Sequence, residues 1–395
     1  MLNKIKAFML SRKAVVLLAV FIAYAFFSVN NAYALFEVSI KKLRNLPKTY
    51  QYPAYIGDNK LFFAGDYKEK KSNKPEKITC ASVYDMKKQK NIPLNACMNI
   101  PRSMYISITL PEDRVLVLGG FNKNEKMPGW TEREYAEIYD IKTNKFRTIG
   151  NATFKHNHRS SYVKLNNGKI LIQSGMFVEI FDPKTEKFRV AGKLKYKTKI
   201  YTDKKGNKHI NKTPSANLPI KCPSEAVELD NGNIFFVGVS TDKNDKSKNT
   251  VIYNPEINEF TFGPSQITPG GHRATAKLSD GRILVAGIRY FDTKNGKQNE
   301  CEIYNPRTNT FMITDNLKTG RAGGTIVQGN KKTYIFAGSV GDSDFLKHRK
   351  DMNTYNEKTG KWKTVWNPKI RSLDSRILYI DYKTVYNGAH RLIKF

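Results

Sequence analysis

Arg273-Ala274-Thr275-Ala276-Lys277-Leu278-Ser279-Asp280-Gly281-Arg282-Ile283-Leu284-Val285-Ala286-Gly287 reads as strand, tight turn, strand. After a long loop, Cys301-Glu302-Ile303-Tyr304-Asn305-Pro306-Arg307-Thr308-Asn309-Thr310-Phe311 reads the same way. Asp280-Gly281 between apolar runs is a strong hairpin signal. Asn305-Pro306 marks a second turn, because Pro presets φ and Asn caps through its side chain. Ile283 to Ala286 is continuously apolar, the pattern of a strand buried on both faces. The unit is therefore a four-stranded antiparallel sheet with an arginine at its head and an aromatic at its tail.

The formula recurs along the chain. Second-strand runs ending in glycine lie at Lys60–Gly65, Arg114–Gly120, Lys169–Gly175, Asn233–Gly238 and Thr333–Gly338. Their spacing, about 50 to 60 residues, is near that of one propeller blade. Third strands end in Tyr139-Asp140, Phe181-Asp182-Pro183, Tyr253-Asn254-Pro255 and Tyr355-Asn356, each followed by an aromatic at Phe146, Phe188, Phe260 or Trp362. Val83-Tyr84-Asp85 is a degenerate first copy. The last copy is truncated: Arg371–Tyr379, Lys383–Gly388 and Arg391–Phe395 supply three strands. The isolated strand Phe36–Leu43 is expected to supply the fourth, closing a ring and removing an exposed edge. The expected fold is all-β, a seven-bladed β-propeller; six blades with a packed tail is the alternative.

The chain has 395 residues, with 67 Lys and Arg against 35 Asp and Glu, a net charge of +32. Such a balance attracts anionic partners, although lysines also serve simply to solvate a surface. Residues 1–34 read as a targeting segment: Lys4, Lys6, Arg12 and Lys13 precede an apolar run from Ala14 to Val29, then Ala32-Tyr33-Ala34. A cleaved signal peptide and a retained membrane anchor are both compatible with that pattern. Either way residues 35–395 are expected to be exported, periplasmic or secreted. Export permits disulfides, and Cys80, Cys97, Cys222 and Cys301 allow three connectivities. Cys80–Cys97 would clip a loop within one blade, whereas Cys222–Cys301 would have to cross between blades.

The Arg…Asp-Gly-Arg-Ile-Leu-Val-Ala-Gly…Glu-Ile-Tyr-Asn-Pro-x-Thr-Asn-x-Phe formula resembles the Kelch repeat, in the form found in exported bacterial proteins and galactose-oxidase-like propellers. The glycine doublet of that repeat survives only as Gly119-Gly120. Galactose-oxidase-like enzymes need copper held by Tyr and His beside a thioether-linked Cys. No such set can be placed here, so the reading implies no metal and no cofactor. Exported Kelch propellers also include mutarotases of acidic sugars, which bind the sugar at the axial opening. That implies a general acid–base partner, which these residues do not reveal.

Strand polarity sorts the loops. Turns between strands one and two, and three and four, share one plain face. Loops between strands two and three, and between blades, share the other: Asp66–Thr79, Phe121–Glu134, Val239–Asn249, Ile288–Asn299 and Ser339–Asp351. Long loops on a rigid scaffold are where binding usually resides. The longest, Gly192–Lys221, carries Lys193, Lys195, Lys197, Lys199, Lys204, Lys205 and Lys208 among its lysines, with Tyr196, Tyr201 and His209, against the single acid Asp203. It is a candidate grip on a polyanion, or a solvated loop. Arg102, Arg159, Arg273, Arg321 and Arg371 head the innermost strands, with His158 and His272 beside two of them. They are candidates to clamp an anion at the opening; the alternative is that they brace the blades.

Neither hydrolase elbow, zincin helix, paired-cysteine motif, phosphate loop nor dinucleotide fingerprint occurs. The expectation is a non-catalytic interaction protein that recognises a protein partner or an anionic polymer: acidic glycan, lipopolysaccharide or phospholipid surface. Export argues against nucleic acid. The alternative is an enzyme acting on an acidic sugar.

Overall fold

The computed structural model describes residues 39–47, 53–68, 77–124, 127–132, 134–202, 208–287, 299–329, 332–340, 347–348, 351–365, 377–381, 384–387 and 391–394. Residues 1–34 and Arg371 lie outside them. The chain is all-β, with no helix among the described residues. Seven four-stranded antiparallel sheets occur there, six of them built from strands consecutive in their own segment.

Sheet five shows the plan, pairing Ala274–Lys277, Ile283–Ala286, Cys301–Asn305 and Thr310–Ile313 in order. The first strands of the other sheets are Ala54–Tyr55 (one), Ile106–Leu110 (two), Ser161–Lys164 (three), Val227–Glu228 (four), Thr325–Gly329 (six) and Ile377–Asp381 (seven). Sheet seven continues through Thr384–Asn387 and Arg391–Lys394 and ends on Ser39–Lys42. There Ile40 lies opposite Ile393, and Lys41 opposite Leu392.

The turns repeat one device. Gly281 donates its N–H to the Leu278 carbonyl and stands at φ 85°, a conformation that costs glycine little. Between third and fourth strands, the hydroxyls of Tyr139, Tyr253 and Tyr304 reach Asn144, Asn258 and Asn309 at 2.8, 2.6 and 3.0 Å. Those asparagines are all left-handed, with φ between 54° and 57°. Across the same turn the aromatics meet in register: Tyr304 and Phe311 have ring centroids 5.2 Å apart, Tyr355 and Trp362 4.9 Å.

Continuous apolar runs bury both faces because each second strand serves two neighbours. In sheet four, Ile234 and Phe236 pack with Leu171 and Ile180 of sheet three, while Phe235 and Val237 pack with Ile283 and Val285 of sheet five. Like clusters join sheets one and two around Phe62 and Val117, two and three around Leu116 and Ile172, and five and six around Leu284 and Ile335. Ile40 and Ile393 of sheet seven pack on Tyr334 and Phe336 of sheet six. Leu378 of sheet seven packs with Leu61 and Phe63 of sheet one. The result is a propeller-like all-β fold whose core is spread over the contacts between sheets.

Candidate functional site

Sheets built this way put the strand-two-to-three loops and the inter-sheet loops at one end. Several of these loops are two-stranded ribbons, including Asp66–Lys68 with Lys77–Thr79 and Phe121–Asn124 with Met127–Glu132. Cys80 and Cys97 are joined by a disulfide that spans the last two strands of sheet one. Cys301 is a buried thiol at the start of the third strand of sheet five, and burial pushes it up.

The Gly192–Lys221 segment is not a loop but a hairpin, Tyr196–Thr202 paired with Lys208–Pro214. It connects sheet three to sheet four. Every side chain from Lys195 to Ile200 is exposed, so neither face of the ribbon rests on the body. Lys193, Lys195, Lys197, Lys199, Lys208 and Lys212 are all exposed, while Lys204 and Lys205 lie outside the described residues. Ile200 and Ile210 face each other across the strands, each 66% exposed. Tyr196, 56% exposed, shares their face.

The arginines are placed otherwise than an anion clamp requires. Arg102, Arg273 and Arg321 are buried, and each guanidinium points into its own sheet. Arg102 donates to Glu137 at 2.7 Å and to the Val117 carbonyl at 3.1 Å. Arg273 meets Glu302 and donates to the carbonyls of Thr268 and Val285. Arg321 meets Asp351 at 2.7 Å and the Ala337 carbonyl at 3.1 Å. Each carboxylate is itself bound: Glu137 also accepts from Asn99, and Glu302 from the Ile267 N–H. Buried this deeply, these arginines offer no surface to a ligand; the geometry is that of bracing. Arg159 is exposed and does not take this place in sheet three. His156 does, with Nε2 2.5 Å from Glu179 and both side chains fully buried.

His158 and His272 are half-buried at the heads of first strands. Their backbone N–H groups donate to the carbonyls of Met104 and Cys222, and Gly323 donates to His272. Heads of neighbouring sheets are thereby linked main chain to main chain. Glycine allows the approach: a Cβ on Gly287 would lie 2.2 Å from the Arg321 carbonyl oxygen.

Sequence reasoning did not single out a further group near these heads. Glu225, just ahead of the first strand of sheet four, is open to solvent, yet the surrounding protein desolvates its carboxyl and raises it above the usual range. On the first strand of sheet three, burial pushes the Tyr162 phenol up to about 12 and the Lys164 ammonium down. Tyr162 packs on the apolar contact between sheets two and three, which accounts for its shift, whereas a shifted and exposed carboxyl such as Glu225 marks a candidate site. Among the described residues no cluster of His, Cys, Asp and Glu is arranged to hold a metal.

No protein-family profile matches the chain, and no curated protein matches it in sequence. Among solved structures it is similar to one titled "Structure of YjhT", at 14% identity and a TM-score of 0.47, over 82% of this chain and 99% of that one. Likeness of that degree assigns neither a function nor a number of blades.

Proposed function

We propose that the chain is an exported seven-bladed propeller of the Kelch type that binds a polyanionic partner through its basic hairpin. The seven sheets and the seven apolar contacts between them support the blade count, and the pairing of Ser39–Lys42 with Arg391–Lys394 supports closure by the first and last strands. Export rests on the basic and apolar pattern of residues 1–34.

The observation that carries the binding function is the hairpin. It stands clear of the body with lysines on both faces, and one acid, Asp203, occurs in residues 192–221. Charge of one sign on a projecting element draws an oppositely charged partner at long range. A variant lacking residues 196–214, closed by a Gly-Ser link, tests this against immobilised dextran sulfate. The full chain is expected to bind at low salt and elute as salt shortens the screening length to about 8 Å near 0.15 M. Retention of the shortened variant equal to that of the full chain would refute the assignment.

Glu225, an exposed carboxyl at the head of a first strand, favours a second reading, an enzyme acting on an acidic sugar at the axial opening. Glu225 would be the acid–base group, and His158, His272 and the exposed Arg159 are candidates to bind the sugar's acid group. An Arg273→Ala, Arg321→Ala pair does not test it, because those arginines hold the sheets together. Glu225→Gln does: loss of turnover on acidic sugars in a variant that still melts cooperatively supports the enzyme, and undiminished turnover removes Glu225 from the reaction.

A further inference from the structure

The hairpin carries more than charge. Ile200 and Ile210 are directly opposed, near the end of the ribbon remote from the body, and each is 66% exposed. Lys208 and Lys212 share their face; Lys197 and Lys199 occupy the other. A soluble acidic polymer satisfies lysines but offers no apolar environment for an isoleucine pair. A protein groove covers one face of a ribbon and leaves the other in water. The interface of an anionic bilayer meets every requirement at once. Acyl chains take the isoleucines, and headgroup phosphates surround both faces, where the lysine stems lie along the apolar layer and their ammoniums reach outward.

We propose that the polyanionic partner is a bilayer containing anionic phospholipid, on which the hairpin lies within the headgroup layer with the face that carries Ile200 and Ile210 against the acyl boundary. This rests on the hairpin being the polyanion-binding element, and it adds the requirement for apolar insertion. It also accounts for a ribbon that neither packs on the body nor extends one of the seven sheets. A two-stranded hairpin of this kind is marginal in water, and an interface that covers both faces stabilises it.

The test is sedimentation with vesicles of phosphatidylcholine alone and of phosphatidylcholine with one-quarter phosphatidylglycerol, alongside retention on dextran sulfate. Residues 35–395, which hold all seven sheets, are expected to partition onto the anionic vesicles and leave the neutral ones in solution. Ile200→Ser with Ile210→Ser should weaken vesicle binding about tenfold, since each loses its apolar transfer, with dextran sulfate retention unchanged. Replacing Lys197, Lys199, Lys208 and Lys212 by Gln should weaken both, by about fivefold per lysine on the vesicles. All these side chains are exposed, so unchanged melting of the variants checks that the body is intact.

If the double serine variant binds anionic vesicles as tightly as the parent, insertion is wrong while polyanion binding stands. Binding to dextran sulfate but not to anionic vesicles likewise overturns the bilayer and keeps the polymer. Binding to neither overturns both readings.

Discussion

Arg273 and Glu302 illustrate how one residue pair organises a sheet. The guanidinium joins the head of the first strand to the second strand through Val285 and to the third through Glu302, and the carboxylate then holds the incoming loop at Ile267. Removing one partner strands a buried charge, so Arg273→Ala should cost about 3 to 5 kcal/mol in urea unfolding. The exposed Arg159→Ala should stay within about 0.5 kcal/mol of the parent. The pairing was half legible: Glu137, Glu179 and Glu302 stand two places before the third-strand aromatic, each in a sheet headed by a buried Arg or His. What hid it in sheet three was the type of residue at that place, since Arg159 matched the formula and His156 did not. Glu225 had no sequence signal, because its shift comes from surroundings assembled by distant segments. Its pH dependence has a definite sign. Desolvation raises its carboxyl in the folded chain, so that chain binds the proton more tightly than the unfolded one does. The stabilisation is full below the ordinary carboxylate range and lost as pH rises through the folded-state value. Glu225→Gln should therefore melt with the parent near about pH 3 and above it at about pH 8.

Two elements show where the sequence pattern was sufficient and where it was passed over. Cys80 and Cys97 lie 17 residues apart around the outer hairpin of sheet one, so their bond closes a short loop of one sheet. Chain-entropy reasoning gives about 3 kcal/mol for a loop of that size. Cys97→Ser should lower the unfolding free energy by about that amount, and a reductant should do the same to the parent but not to the variant. The basic segment, by contrast, reads in the sequence as a lysine run with interleaved aromatics. Lys195, Lys197 and Lys199 alternate with Tyr196, Thr198 and Ile200, a period of two that marks a strand. Each lysine interrupts the apolar run, so the segment looked like a solvated loop. The opposed isoleucines emerge only once Ile200 and Ile210 are placed in register.

At the scale of the molecule, the repeat made the sheets legible because each carries its own turns, strands and aromatic pair. The proposed closure is read in the sequence only by subtraction, from a last copy one strand short and a first strand with no sheet. In sheet seven, Ile40 and Ile393 lie in the contact with sheet six, and Leu378, with Leu43 next to the strand, lies in the contact with sheet one. A strand that completes two such contacts is not a dispensable tail. Ile40→Ala should cost about 2 to 4 kcal/mol, as in the interior of a sheet. A covalent link is the sharper probe. Lys41 and Leu392 are opposed in the register, and Lys41 is exposed. Lys41→Cys with Leu392→Cys should oxidise to a bond that ties almost the whole chain into one loop. For a loop of that length the unfolded chain loses entropy worth about 6 kcal/mol, so the oxidised variant should unfold at markedly higher urea than the same protein reduced. Mass spectrometry of a digest reads the link directly. If the 41–392 bond does not form while Cys80–Cys97 remains intact, the two ends do not share a sheet. The ring, and with it the assignment of one common face to the hairpin and the first-strand heads, then falls.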